Sequence, residues 1–279
     1  MKQIKGLYKI SRPMSTLSGA LAVVLGGYVA GTGEWLNIFL ATLATLLISA
    51  AANAWNDYMD IEIDKINQPQ RPLPSGMVSP RAVLIFAVLA ASLSLIIAAM
   101  ISTAAFVIAF CSTFMLLIYS WRLKSTVLLG NATVAFISAL SAVFGGVAAG
   151  NVIPSLWLAA IIFTAIMGRE VLKTMADYEG DLRQKCRTIS TVWGRRPARV
   201  VFFVLAGITL GMMMLPYLFR VYKPVYAYIV VLGVYPVIVY ILVKVNRNRT
   251  GAQLERLSQL MKYDFLIWFV AVLLGAQVW

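Results

Sequence analysis

The feature that most constrains this chain is its succession of apolar runs. Nine of them, at roughly 14–32, 36–56, 82–101, 103–120, 127–149, 153–174, 198–219, 224–244 and 262–279, are long enough for an α-helix to cross about 30 Å of hydrocarbon. Of the 279 residues 61% are apolar and 13% charged, too few charges to cover a water-soluble domain. No β-barrel alternation competes with the runs. The expected fold is therefore all-α: a polytopic membrane bundle of nine transmembrane helices, forming one intramembrane domain over 1–279. The first run follows Lys2, Lys5, Lys9 and Arg12 as a signal peptide would, but it is longer than a signal's apolar stretch and leads directly into a second span. It reads as a retained helix.

Charge then orients the bundle. There are 24 Lys and Arg against 11 Asp and Glu, a net +13, on a chain too apolar to be a nucleic-acid binder. With the N-terminus in the cytoplasm and the C-terminus outside, 22 of the 24 basic residues fall on the inner side, including Lys244, Arg247, Arg249, Arg256 and Lys262 in the last inner loop. Only Arg220 and Lys223 lie outside. Trp35, Trp157 and Trp279 fall near outer boundaries and Trp121 and Trp193 near inner ones, as interfacial anchors do. All acids except Glu34 lie at or near the inner side, so any site opens to the cytoplasm from the cell membrane. Gly27 and Gly31 recur as Gly146 and Gly150, and Asp57 as Asp177, which suggests four-helix halves 13–124 and 125–244 plus a ninth helix.

Composition removes several chemistries. The chain has no histidine, which excludes a histidine general base and histidine-ligated metals. Cys111 and Cys186 form neither a CxxC pair nor a disulfide framework. Carboxylates, amides, hydroxyls, Lys and Arg remain.

The acids are gathered in two places. At about 100° per residue, Asn56, Asp57, Asp60 and Asp64 at the end of the second span share one stripe about 100° wide, while Glu62 points away. After the sixth span, Lys173, Asp177 and Asp181 follow the same spacing, with Arg169 and Glu170 on their stripe, provided the helix continues through Gly180. Acids that merely solvate helix ends would avoid a helix C-terminus, where the macrodipole is negative, and aligned carboxylates repel one another. A cation resolves the repulsion. Hard oxygen donors without His or Cys suit Mg²⁺, which takes one or two carboxylates and completes its octahedron with water and phosphate oxygens. Basic residues stand nearby: Arg12 at the first helix entry, Arg71 between the prolines of Gln70-Arg-Pro-Leu-Pro-Ser-Gly76, Lys124 in Tyr119-Ser-Trp-Arg-Leu-Lys124, and Lys173 itself.

Asn56-Asp57-x-x-Asp60-x-x-x-Asp64 paired with Asp177-x-x-x-Asp181 resembles the UbiA superfamily of intramembrane prenyltransferases, over essentially the whole chain. Within it, the stretch through Arg71-Pro-Leu-Pro-Ser-Gly76 and the run Gly168-Arg-Glu-Val-Leu-Lys173 resemble the archaeal ether-lipid branch. The resemblance implies Mg-dependent transfer of a geranylgeranyl group from its diphosphate to geranylgeranylglyceryl phosphate. It implies that Asn56, Asp60, Asp64, Asp177 and Asp181 bind Mg²⁺, with Asp57 supporting them. It also implies that Arg71, Lys124, Lys173 and Arg12 contact the substrates, and that Tyr119 lies near the leaving group or the allylic carbon. Asp60, Asp177, Tyr119 and Lys173 would carry the catalysis. Thr174 and Ala176 stand where many relatives have acids.

Two other readings remain at this stage. Prenylation of an aromatic acceptor in quinone biosynthesis would use the same donor site. A secondary transporter would share the half-repeat, but would place polar groups at midplane in broken helices. The segment carrying Leu254, Leu257 and Met261 fits either an interfacial helix or a cap over the site.

Overall fold

The computed structural model describes residues 2–246 and 249–276, so the expectations for Arg247 and Trp279 lie outside the described residues. The order is α1 (Lys2–Ser11), α2 (Pro13–Ala30), α3 (Trp35–Met59), α4 (Ile61–Asn67), α5 (Pro80–Ile101), α6 (Thr103–Trp121), a 3₁₀ turn (Leu123–Ser125), α7 (Leu129–Ala148) and α8 (Ile153–Ala176). There follow α9 (Tyr178–Arg183), α10 (Ile189–Val192), α11 (Arg195–Leu218), α12 (Pro224–Ile229), a π-helical turn (Val230–Val234), α13 (Tyr235–Val245) and α14 (Gly251–Gly275). The described residues form helices and no strand, with one isolated bridge between Tyr222 and Ala276. Among the described residues, eight helices are long and apolar enough to cross a membrane, counting Pro224–Val245 as one. Lys2–Ser11 and Thr16–Ala30, bent by 54°, pass together and bring the number to as many as nine.

The chain divides into two compact units, Met1–Arg122 with Leu140–Ser155, and Leu123–Ala139 with Leu156–Trp279. In the first, α3 buries Ile38, Ala41, Ala44, Thr45, Ile48, Ala51 and Ala54, a three-to-four spacing whose alanines let α2, α5 and α6 approach closely. The next buried position on that stripe is Asp57. The glycines that bring α2 against α7 stand one residue ahead of the pairs read from the sequence. A Cβ on Gly26 would lie 2.0 Å from the Ala142 carbonyl oxygen, and one on Gly145 would lie 2.0 Å from that of Val23. Gly31 and Gly150 instead end their helices in left-handed turns, at φ 70° and 76°. Those turns are cross-capped: Thr32 Oγ1 donates to the Ala149 carbonyl at 2.6 Å, and Asn151 Nδ2 donates to the Ala30 carbonyl at 3.3 Å.

Beneath α3, Ile10 of α1 joins Ala54, Leu73, Val78, Val83 and Ala87 in a separate small core. Gly6 brings α1 against Val78, where a Cβ would sit 3.1 Å from the valine Cβ. The α1 helix and the 72–78 loop are thereby docked to the end of α3 that carries the first acidic motif.

The second unit is centred on Val171, Leu172, Met175, Ile189, Phe202, Ile241, Leu254 and Leu257. Its last helix starts at Gly251, eleven residues before the apolar run suggests, on a capping box between Thr250 and Gln253. Glu255, Arg256, Lys262 and Asp264 depress the hydropathy there and hide the start. Leu254, Leu257 and Met261 therefore form no separate interfacial helix; they are buried in the first half of α14.

Candidate active site

The first acidic motif sits where α3 gives way to α4. Asp60 occupies the break, at φ −91° and ψ 6°, yet the ladder continues through it: Asp60 N donates to Asn56 O at 3.0 Å and Asp64 N to Asp60 O at 2.8 Å. The i, i+4 relation survives, but the single stripe expected from helical angles becomes two pairs. Asn56 and Asp60 are half-buried and linked, with Asn56 Nδ2 donating to Asp60 Oδ2 at 3.1 Å. Asp57 and Asp64 are buried and held by arginines. Arg12 pairs with Asp57 Oδ1, while Arg71 Nη1 lies 2.6 Å from Asp64 Oδ2 and 3.8 Å from Asp57 Oδ1. A carboxylate inside a packed helix end needs such partners, because an unpaired buried charge costs several kcal/mol. Glu62 points away, as its helical angle requires, and pairs with Lys65 at 2.7 Å on the surface.

Both arginines are set by backbone. Arg12 has φ 49° and ψ 58°, a left-handed conformation at the junction of α1 and α2, and Asn53 of α3 donates to the neighbouring Ser11 carbonyl at 3.1 Å. Arg71 opens the Pro72-Leu73-Pro74 loop, which Leu73 and Val78 anchor in the core, and its Nε donates to Gln68 Oε1 at 2.8 Å. Tyr119 lies half-buried near the end of α6 in the same unit.

The second motif repeats the device. Asp177 occupies the break between α8 and α9 at φ −85° and ψ 4°, and Asp181 N donates to Asp177 O at 2.9 Å. The short helix does run through Gly180. Asp177 reaches the surface, but packing around its base withdraws enough water to raise its carboxyl above the ordinary range; Lys173 opposes the rise, and Glu255 and Glu170 add to it. Burial, and then the charge of Asp177, push Asp181 up to about 6, against a hydrogen bond from Thr188 and the charges of Lys124 and Lys173. Lys173 Nζ sits 3.4 Å from both oxygens of Glu170, which Arg169 also binds at 3.0 Å. Arg169 Nε donates to the Ser258 carbonyl at 3.3 Å, tying α8 to α14. Lys124 lies on the exposed 3₁₀ turn.

The structure thus assembles Arg12, Asn56, Asp57, Asp60, Asp64 and Arg71 within the first unit, and Lys124, Lys173, Asp177 and Asp181 within the second. Sequence reading passes over Thr188 and Glu255. Thr188 has a local signal, since it starts α10 through a capping box with Thr191; Glu255 has none, because its reach to Asp177 depends on the early start of α14. Among the described residues, no group of three Asp, Glu, His or Cys side chains converges to hold a metal ion unaided. Mg²⁺ does not require one, since one or two carboxylates suffice when water and phosphate oxygens complete its shell. Asn56 with Asp60 offers an amide and a carboxylate, and Asp177 with Asp181 offers two carboxylates whose mutual repulsion a cation would relieve. The donor set fits Mg²⁺, and the arginines and lysines beside each pair fit the phosphates of an anionic ligand.

Comparison with known proteins agrees with this chemistry. The model of the UbiA prenyltransferase family matches residues 17–274. The digeranylgeranylglyceryl phosphate synthase of Methanopyrus kandleri is 34% identical over 77% of this chain and 79% of its own length. That of Methanoregula boonei is 36% identical over 77% and 78%, and that of Thermococcus kodakarensis 31% identical over 99% of each. Among solved structures, a digeranylgeranylglyceryl phosphate synthase in membranes shares the fold with a TM-score of 0.84 at 24% identity, covering 99% of both chains. A UbiA homologue from Archaeoglobus fulgidus bound to GPP and Mg²⁺ gives 0.73 at 17% identity, covering 96% of this chain and 99% of that one.

Proposed function

The chain belongs to the UbiA prenyltransferase family, and from that premise we propose that it transfers a geranylgeranyl group from geranylgeranyl diphosphate to the free hydroxyl of geranylgeranylglyceryl phosphate, forming an ether bond of an archaeal membrane lipid. One observation supports the chemistry above all: both acidic motifs keep their i, i+4 ladders through a helix break, each placing two oxygen donors beside basic side chains. The acceptor is argued from the relatives, which carry that synthase name at 30–36% identity over most of their length.

Ionising an allylic diphosphate places negative charge on the leaving group and positive charge on the prenyl C1. Asn56, Asp60, Asp64, Asp177 and Asp181 would hold Mg²⁺, and the ion would supply positive charge to offset that of the diphosphate. Arg71 and Arg12 of the first unit, and Lys173 and Lys124 of the second, would bind phosphate oxygens, while Asp57 keeps the arginines oriented. Asp64, paired with Arg71 at 2.6 Å, would join the Mg²⁺ ligands once phosphate draws Arg71 from it. Tyr119 bonds the leaving group or turns its ring toward the allylic cation. The apolar helices exclude water, so that the acceptor hydroxyl rather than water attacks C1. That oxygen becomes acidic as the C–O bond forms, and its proton passes to the released diphosphate. The enzyme lies in the cell membrane with both motifs at the cytoplasmic face, the side that collects 22 of 24 basic residues.

The decisive assay supplies the purified protein with geranylgeranyl diphosphate, Mg²⁺ and either geranylgeranylglyceryl phosphate or an aromatic acid. Turnover of the glyceryl phosphate alone is expected. Turnover of only the aromatic acid would overturn the lipid-synthase reading and leave the family intact.

A further inference from the structure

Arg195 stands where α11 would be expected to bury carbon. The helix packs Ala198, Phe202, Ala206, Thr209 and Met213 inward at three-to-four spacing, and the same stripe, followed back one turn from Ala198, falls on Arg195. An arginine there carries a desolvation cost that an apolar side chain would avoid. The fold offsets it only in part. The guanidinium carbon lies 4.5 Å from the centre of the Tyr178 ring, a cation–π contact, while Nη2 stops 3.8 Å from Glu179 Oε1, beyond hydrogen-bond reach. Glu179 is 71% exposed, so water screens most of that attraction. Arg195 Nε is buried and has no hydrogen-bond partner among the described residues.

Other arginines near the acidic motifs differ. Arg12, Arg71 and Arg169 each reach a carboxylate within hydrogen-bond distance and are spent on it. Stacking instead holds Arg195 by its face and leaves its N–H edge unspent, a planar fork that matches two oxygens of a phosphate. Position tells which phosphate. Tyr178 follows Asp177 in the chain and shares α9 with Asp181, so the guanidinium rests on the short helix of the second acidic pair. At about 100° per residue, however, Tyr178 projects roughly 60–100° around α9 from Asp177 and Asp181. An anion held by Arg195 is therefore a neighbour of the diphosphate and not the diphosphate itself. Of the two substrates, the acceptor brings such an anion, a phosphomonoester.

We propose that Arg195 binds the phosphate of the acceptor, with Tyr178 as the platform under its guanidinium and Glu179 as a placeholder that yields when the phosphate arrives. This assignment rests on geranylgeranylglyceryl phosphate being the acceptor, and it supplies the side chain that distinguishes that lipid from an unphosphorylated alcohol.

Acceptor binding and turnover, measured separately on the protein in lipid nanodiscs, test this. Calorimetric titration with geranylgeranylglyceryl phosphate, without donor or Mg²⁺, gives a dissociation constant that rises about thirtyfold from wild type to Arg195→Gln. Arg195→Lys, which keeps the charge but not the fork, lies between them and serves in place of the glutamine variant should that one not fold. The KM for geranylgeranyl diphosphate stays at the wild-type value, and geranylgeranylglycerol, which lacks the phosphate, is used equally poorly by all three proteins. Glu179→Gln tightens the phosphorylated acceptor by about two- to threefold, whereas a merely structural Arg195–Glu179 pair would loosen it. Unchanged acceptor binding in Arg195→Gln, an equal loss for both acceptors, or a rise confined to the KM of the diphosphate overturns the proposal. Wild-type protein that binds the phosphorylated acceptor through Arg195 yet transfers nothing to it upholds the site and refutes the activity; wild type that does not bind it refutes both.

Discussion

Replacing Asp57 by asparagine separates positioning from metal binding at the first motif. The side chain keeps its shape but loses the charge that Arg12 contacts and that Arg71 faces at 3.8 Å. A hydrogen bond to a charged group contributes about 1.5–3 kcal/mol net. Asp57 is only 4% exposed, which argues for the upper end, whereas Arg12 is 35% exposed and screened by solvent, which argues for the lower. About 2 kcal/mol is a reasonable working value. If Asp57 acts by holding the two guanidinium groups ready for diphosphate, that energy appears as a loss of about 30-fold in kcat/KM for the prenyl donor. The Mg²⁺ concentration for half-maximal rate stays unchanged. In a double-mutant cycle with Arg12→Met, the two substitutions together cost less than the sum of their separate losses. Asp60→Asn gives the contrast, since it raises the Mg²⁺ requirement. A kcat/KM for Asp57→Asn equal to wild type, or a loss accompanied by a Mg²⁺ requirement as high as that of Asp60→Asn, would refute the reasoning.

The other predictions concern the metal, pH and packing. Asp60→Ala combined with Asp177→Ala abolishes Mg²⁺-dependent diphosphate release; release that survives in the double variant counts against the enzyme reading. Because the Asp181 carboxyl is raised to about 6, its protonated form favours the metal-free fold: that contribution is complete below the unfolded value of 3.8 and is lost as pH rises through about 6. Mg²⁺ competes only with the deprotonated repulsion, so its stabilising effect in a thermal-shift assay is larger at about pH 7.5 than at about pH 5, and a pH-independent effect would contradict the assignment. Gly145→Ala drives a Cβ to 2.0 Å from the Val23 carbonyl and must part α2 from α7, lowering the melting temperature in detergent by the equivalent of about 1–3 kcal/mol. The same change at exposed Gly180, inside α9 and with nothing within 4 Å of its Cβ, does not lower it and raises it by at most the equivalent of about 1 kcal/mol.

Hydropathy locates the helices well because lipid allows few alternatives. It fails at α14, where four charged residues lie before or at the start of the apolar run and only tertiary packing shows that Leu254, Leu257 and Met261 are core. The acidic motifs were legible for a related reason: i, i+4 spacing is a local property and survives even through the breaks at Asp60 and Asp177. Helical angles do not reveal that Asp57 and Asp64 turn toward Arg12 and Arg71. That division depends on a left-handed residue at position 12 and on a loop anchored by Leu73 and Val78, neither of which leaves a periodic signal.

The discontinuity of the first unit bears on how the protein is made. Helices α1 to α6 leave the ribosome before Leu140–Ser155, so the groove along Val23, Gly26 and Gly27 waits in the bilayer without its wall while α7 is synthesised. The two cross-caps, Thr32 to Ala149 and Asn151 to Ala30, close a loop of more than 110 residues. They therefore form only after α7 has been made, so the first acidic motif on α3 is synthesised well before the unit that carries it is complete.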